Sequence, residues 1–383
     1  MRAARNTSLV GLWLLACPLC APSPFNPHPP TKGASFFDGW YLRLVDHRQK
    51  LSLALIVGAI GSEGQSGEPL PSWTASLAVL LIASGGETRA EQLLGGWANL
   101  TVGSPPQPVR TEPAYSAPAS FTFTSAAGSF SVRDGDATAE LNFPSYRVRV
   151  ITSGRVPWNP KWPDSDGPEG VLFPRARGTI LPCHYFVHSL ASGASYELVP
   201  ARPGVSKPEP LVGDGFAHLE TNYGSSFPGA WIWAQGVAPD GRSQFVSTIT
   251  EIGLNGLATV QIFALAYRSP AFNLTLRSPD LAKMWLQRHA CAGHVILDGA
   301  DLLGHHRATL VINSSTAAGE ARGFSTPLYA PTHRGFLRDP GCVESFWANA
   351  ILRVHDPRGA LVASDEFQLA ALEFGGEWRC KLT

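Results

Sequence analysis

The stretch from Glu220 to Gln235, ETNYGSSFPGAWIWAQ, sets two tryptophans two residues apart behind a Phe-Pro pair. Side chains alternate along a strand, so Trp231, Trp233 and Gln235 share one face while Ile232 and Ala234 share the other. That aromatic face either packs into a core or walls a cavity. As a cavity wall it can surround an isoprenoid chain and stabilise a passing carbocation by cation–π attraction. Gln235 would then be one polar contact in an apolar wall. A second stretch, PCHYFVHSL, carries His184 and His188 four apart, again on one strand face. Two imidazoles need a third converging ligand before they hold a metal. They are either hydrogen-bonded at a pocket rim or core, or one of them moves a proton near neutral pH. His305 and His306 follow a glycine in a turn-like context and read as surface.

Other chemistries lack their residues. The chain has no G-x-S-x-G elbow, no G-x-G-x-x-G, no P-loop and no H-E-x-x-H. Phosphoryl transfer and nicotinamide chemistry therefore have no support in the sequence. Lys+Arg and Asp+Glu number 30 each, which leaves no basic field for nucleic acid.

The elements that must position these residues are strands. With 44% apolar and 16% charged residues, the 383-residue chain is globular and long enough for more than one core. Its 38 glycines and 32 prolines favour short strands and turns over long helices. Leu51, Leu53, Leu55 and Val57 share a face, as do Phe121 with Phe123, Phe130 with Val132, and Tyr146 with Val148 and Val150. LATVQIFALAYR, FNLTLRS, RATLVINS, ANAILRVHD and EFQLAALEF continue the pattern. One short helix is expected from Ser278, with Ser at the N-cap, Pro279 at the first position and Leu281, Met284 and Trp285 on one face. So many antiparallel strands need closure to hide their edges, which predicts two barrel-like or sandwich domains. The Pro/Gly-dense stretch ELVPARPGVSKPEPLVGDG divides them, giving domains over 23–205 and 206–383. VPWNPKWPDSDGPEG, from Val156 to Gly170, is a long loop suited to a lid.

The opening residues place two arginines before an apolar run from Leu9 to Ala21, then small residues and prolines. This predicts a signal peptide over 1–22 and a secretory or extracellular location. Leu14-Leu-Ala-Cys17 also fits a lipoprotein box, making a lipid anchor an alternative. Outside the leader, Cys183, Cys291, Cys342 and Cys380 allow up to two disulfides in three connectivities. Asn99, Asn273 and Asn313 head N-x-S/T sequons.

Three blocks carry a resemblance to the tocopherol cyclase family, within the lipocalin-like cyclases that also include hydroxyneurosporene synthase-like and Diels–Alderase-type proteins. FFDGWYLRLVD matches the family's G-W-Y opening strand, and ETNYGSSFPGAWIWAQ resembles E-K-N-W-G-x-x-F-P-x-x-W-x-W-x-Q. GCVESFWANAILRVHDPRGALVASDEFQLAALEFGG resembles the closing strands with their A-A-L-E-x-G-G ending. The blocks run from about Phe36 to Trp378. The resemblance implies an all-β fold of two lipocalin-like antiparallel domains. It implies closure of a chromanol ring from a prenylated benzoquinol, with no redox cofactor and no metal. An acid in an apolar site must protonate the alkene while the phenol proton is accepted elsewhere. Carried onto this chain, the acid is Glu220 first, then Glu373, then Asp38. The alternative for Glu220 is a carboxylate capping a turn through Asn222 or Ser225. The substrate contacts are Trp40, Tyr41, His184, His188, Asn222, Tyr223, Phe227, Trp231, Trp233 and Gln235. Thr221 and Tyr223 replace the family's Lys and Trp, and a secretory leader sits oddly with the plastid location of the plant enzymes.

The expected partner is a hydrophobic small molecule, a prenyl quinol or isoprenoid, and no nucleic acid, with peripheral membrane contact as an additional option. Against the cyclase stand a non-catalytic carrier using the same cavity, and a related hydratase or pericyclase acting on an isoprenoid or polyketide.

Overall fold

The computed structural model describes residues 26–28, 36–61, 73–103, 120–170, 181–201, 209–254, 258–280, 282–301 and 305–380. The expected leader over 1–22, with Cys17 and Cys20, lies outside them. The described residues are almost entirely β. The strands are β1 (Phe36–Asp46), β2 (Leu51–Gly61), β3 (Trp73–Ser84), β4 (Glu87–Gly95), β5 (Ala98–Val102), β6 (Phe121–Ser125), β7 (Gly128–Arg133), β8 (Asp136–Asn142), β9 (Tyr146–Ser153), β10 (Cys183–Pro200) and β11 (Leu211–Gly224). There follow β12 (Ala230–Val237), β13 (Gln244–Leu254), β14 (Ala258–Arg268), β15 (Asn273–Arg277), β16 (Ala282–His289), β17 (His294–Asp301), β18 (Arg307–Asn313), β19 (Leu328–Thr332), β20 (Gly335–His355) and β21 (Leu361–Gly376).

The first sheet runs β4-β3-β2-β1-β11-β10-β9-β8-β7-β6-β5, and the second β15-β14-β13-β12-β21-β20-β18-β17-β16 with β19 hung on β20. Each curls until its ends meet, β5 reaching β3 and β15 reaching β16. The result is two nearly closed antiparallel barrels, as the alternation predicts. Because β11 pairs with β1 and β10, the first sheet continues to Gly224. The change of sheet therefore falls between Gly224 and Ala230, not at 205/206. The Pro/Gly-dense stretch there leads into β11 of the same sheet.

The expected helix is replaced. Ser278–Asp280 is a single 3-10 turn, and Ala282–His289 is β16, paired with β17 from Ala282↔Asp301 to His289↔His294. Ala282, Met284 and Leu286 pack on the second core while Trp285 is 57% exposed, a period of two rather than 3.6. The apolar spacing of this short run satisfies both periods, and ladder pairing to β17 decides between them.

Among the described residues, three large apolar cores and two small clusters result. Trp40, Leu42, Leu53, Phe123 and Phe130 fill the first barrel, and Ile232, Phe245, Leu265, Leu310 and Phe367 the second. A third lies between the barrels, joining Tyr41, Val79 and Val187 of one to Trp231, Trp233 and Phe346 of the other. Strands β1 and β12 are thus buried on both faces. A disulfide joins Cys291 to Cys380, whereas Cys183 and Cys342 are free and buried.

Candidate active site

Inside the third core lies a cavity of about 170 Å³. Ladder register builds its walls. On the first sheet, Tyr41, Glu220 and Val187 form one rung across β1, β11 and β10, and Gly39, Asn222 and Tyr185 the next. On the second, Trp233, Glu373 and Glu344 form a rung across β12, β21 and β20, and Trp231, Gly375 and Cys342 the next. Since successive outward residues are two apart, these rungs face one another across the gap between barrels.

Space favours glycine at two positions of these walls. A Cβ on Gly375 would meet the Trp231 ring at 1.9 Å, so the indole lies flat over this position. A Cβ on Gly39 would stand 3.2 Å from the Val57 carbonyl oxygen, at the close approach of β1 to β2.

Glu220 is 5% exposed and its Oε2 gathers donors. Tyr185 Oη donates at 2.7 Å, Trp233 Nε1 at 3.0 Å, and His218 Nε2 lies 2.8 Å away. Asn222 Nδ2 approaches Oε1 at 3.4 Å. This is the surrounding of a carboxylate that accepts rather than donates. Burial first, then the neighbouring Glu220 charge, pushes the Tyr185 phenol well above its ordinary value. On the other wall, Trp231 Nε1 donates to Glu373. Burial raises Glu373 to about 7, against the lowering effect of its bonds with Trp231 and Cys342. The two tryptophans thus hold two glutamates of unlike character, one on each barrel. Asp38 also lines the cavity, and burial raises it well above the usual carboxylate range despite the His28 backbone N–H donating to it at 2.6 Å.

Of the expected site residues, Asp38, Trp40, Tyr41, Glu220, Asn222, Phe227, Trp231, Trp233 and Glu373 border this cavity. Trp40 does so only at the margin, since its ring centroid lies 4.7 Å from Phe121 and 5.7 Å from Phe123 in the first barrel's core. Gln235 lies one rung beyond the cavity and accepts a hydrogen bond from Arg43. His184 and His188 share a strand face as expected, but it is not the face of Tyr185. His188 packs edge-on against Phe186, and burial holds it well below the usual imidazole range. His184 Nδ1 lies 2.9 Å from Glu169, and Tyr223 stacks on both His28 and His184. None of His184, His188, Tyr223 and Gln235 borders the cavity.

Sequence reasoning passed over Tyr185, His218, Arg43 and Glu344. Tyr185 stands between the two histidines in CHYFVH, where alternation alone assigns it to the opposite face. Arg43 and Glu344 were visible as lone charges within apolar runs, YLRLV and VESFW. The expected lid is anchored: Trp158 is buried in the inter-barrel core, Arg155 pairs with Asp164 at 2.6 Å, and Asp166 pairs with Arg277 at 2.6 Å. Its Pro168 and Glu169 line the cavity. Among the described residues, no three His, Cys, Asp or Glu side chains converge as metal ligands do.

The fold belongs to the lipocalin-like two-barrel class. No family model and no curated protein matches the chain in sequence. In structure it is similar to CghA, crystallised with Sch210972, with a TM-score of 0.52 and 11% identity over 94% of this chain and 95% of that one. Kievitone hydratase from Nectria haematococca aligns over 91% of each chain at 10% identity and a TM-score of 0.40. A protein assigned as AttH from Nitrosomonas europaea aligns over 90% of this chain and 93% of its own, at 12% identity and a TM-score of 0.43. At 11% identity the likeness to CghA speaks for the fold, and the chemistry has to be read from the residues.

Proposed function

We propose that the protein is a tocopherol cyclase-like enzyme that closes a ring on a prenylated phenol or similar isoprenoid lipid, using proton transfer alone. The observation that carries this is the pairing of unlike carboxyls across one apolar cavity. Glu373, raised to about 7, is poised to give a proton near neutral pH. Glu220, the acid first expected from the sequence, accepts from Tyr185 and Trp233 and is suited instead to take one.

The step balances without an oxidant or reductant. The Glu373 carboxyl protonates the less substituted alkene carbon, leaving a tertiary cation beside the faces of Trp231 and Trp233. The phenol oxygen attacks that cation, and its proton passes through Tyr185 to Glu220. One C–H and one C–O bond form, while the alkene π bond and the phenol O–H break. The product is an isomer of the substrate. Return of the proton from Glu220 to Glu373 resets the site. An apolar cavity of about 150 Å³ holds a benzene ring. The cavity here, at about 170 Å³, therefore takes the reacting ring, and a long tail has to run out past its rim.

Purified protein incubated with a prenyl benzoquinol should yield the chromanol above the acid-only background. Tight binding with unchanged substrate would leave a carrier and sink the cyclase reading. A hydratase uses the same acid, with water taking the place of the phenol oxygen, and a tertiary alcohol as product would identify it. The reading includes passage through the secretory pathway. In support, Asn99, Asn273 and Asn313 are all exposed, and Cys291 is bonded to Cys380.

A further inference from the structure

Glu344 does not border the cavity, is 0% exposed, and has no place in the step above. It is nonetheless the most enclosed carboxyl of the inter-barrel core. Tyr41, whose ring lines the cavity, donates its Oη to Glu344 Oε1 at 2.5 Å, across the gap between barrels. Glu344 Oε2 has no hydrogen-bond partner among the described residues. Its partner in the β20–β21 ladder is Glu373, so both carboxyls leave the same face of the sheet. Directly opposed side chains have Cβ atoms about 4.5–5.5 Å apart.

We infer that Glu344 and Glu373 act as one acid, a cross-strand carboxyl pair that holds a single proton, with Glu344 as the positioning residue that keeps the proton available on the cavity-facing Glu373. Two adjacent carboxylates in a dry interior cannot both stay ionised, so one of them retains a proton. The unpartnered oxygen of Glu344 points the same way, because a buried anion with an unfilled oxygen is costly. Burial raises Glu344 well above the usual carboxylate range, and the charge on Glu373 raises it further.

The groups facing the pair explain why it holds one proton and not two. From β1 come the Tyr41 hydroxyl and the Arg43 guanidinium, both of which favour a charged Glu344. From β12 and β20, Trp231 Nε1 and the Cys342 thiol favour a charged Glu373. From β11, the Glu220 carboxylate opposes charge on either. Arg43 is fixed in place by the Gln235 side chain and the Leu369 carbonyl. Leu369 adopts φ 53° beside an irregularity in the β20–β21 ladder, which turns that carbonyl inward.

The inference rests on reading Glu373 as the acid, but its test does not need turnover. In full-length protein labelled with side-chain ¹³C glutamate, the carboxyl resonances are titrated by NMR in wild type, E344Q and E373Q. The amide oxygen of E344Q still accepts from Tyr41. With the like charge gone, Glu373 should then titrate lower by about one pH unit or more. Glu344 should respond likewise in E373Q. Unchanged titration of the surviving partner overturns the pair. Should E344Q not fold, Y41F provides the second arm: loss of the donor raises the titration of the pair, and no change is again contrary. In turnover, E344Q should shift the pH profile of kcat with little change in KM. Absent turnover in wild type refutes the proposed function and leaves the titration to decide this inference.

Discussion

The indole Nε1 of Trp233 lies 3.0 Å from Glu220 Oε2, so a tryptophan of the second barrel closes a hydrogen bond on a glutamate of the first. The bond crosses from β12 to β11, elements joined by a short Phe-Pro turn but belonging to different sheets. In the proposed mechanism it fixes both the base and the aromatic wall that faces the cation. Glu220→Gln replaces an acceptor with a group that also donates, into a site already filled by donors. Its kcat should fall by about 10²–10⁴-fold, the usual contribution of general acid–base catalysis. Ligand binding should persist, measured by quenching of tryptophan fluorescence. Undiminished turnover would remove Glu220 from the mechanism.

In the proposed mechanism Glu373 gives the activity its pH dependence. The acid works only when protonated, so kcat should fall as pH rises through about 7. Stability moves in the same direction. The folded-state value is raised above the unfolded 4.5, so this contribution is complete below that value and is lost as pH rises through about 7. Melting temperature should therefore decline between pH 5 and pH 8, and less steeply in Glu373→Gln, as read by differential scanning calorimetry. Equal slopes in the two proteins would refute this assignment.

The barrels were legible because period-two alternation is a direct consequence of strand geometry, and it located strands in both sheets: β2, β6, β7 and β9 in the first, and β14, β15, β18, β20 and β21 in the second. The same alternation grouped Trp231 with Trp233 and His184 with His188. It could not say what each face meets. For β12 the tryptophan face meets the cavity; for β10 the histidine face does not, and Tyr185 on the other side reaches it. Glu344 and Arg43 matter through partners about 300 residues away, Tyr41 for the one and Leu369 for the other. Such pairings depend on how two barrels dock, and no local pattern encodes that. The run after Ser278 was misread because a short apolar run can satisfy two periods until its ladder partner is known.

Gly375 offers a test of geometry without touching a polar group. A Cβ there would collide with the Trp231 ring at 1.9 Å, and a close-packed wall leaves the indole nowhere to go but off Glu373. Gly375→Ala should therefore lower kcat and move the pH limb, because Glu373 loses a hydrogen bond that favours its charged form. The limb should shift upward, opposite to the shift expected for E344Q. A Gly375→Ala protein with the wild-type profile would mean that the Trp231 contact does not tune the acid.

Trp40 and Trp233 separate packing from chemistry within one residue type. Trp40 stacks among Phe121, Phe123 and Phe130, away from the carboxyls. Trp40→Ala removes a fully buried indole and should cost about 3–5 kcal/mol of stability. Trp40→Phe keeps most of the apolar volume and should retain kcat once folded. Trp233→Phe keeps a ring over the cavity but loses the donor to Glu220 and the contact with the Tyr185 hydroxyl. Its loss should appear in kcat, with a smaller change in denaturant midpoint than Trp40→Ala. The decisive measurement is the two variants' kcat against their urea midpoints. If Trp40→Phe loses turnover while Trp233→Phe keeps it, the reacting face of the site has been assigned to the wrong tryptophan.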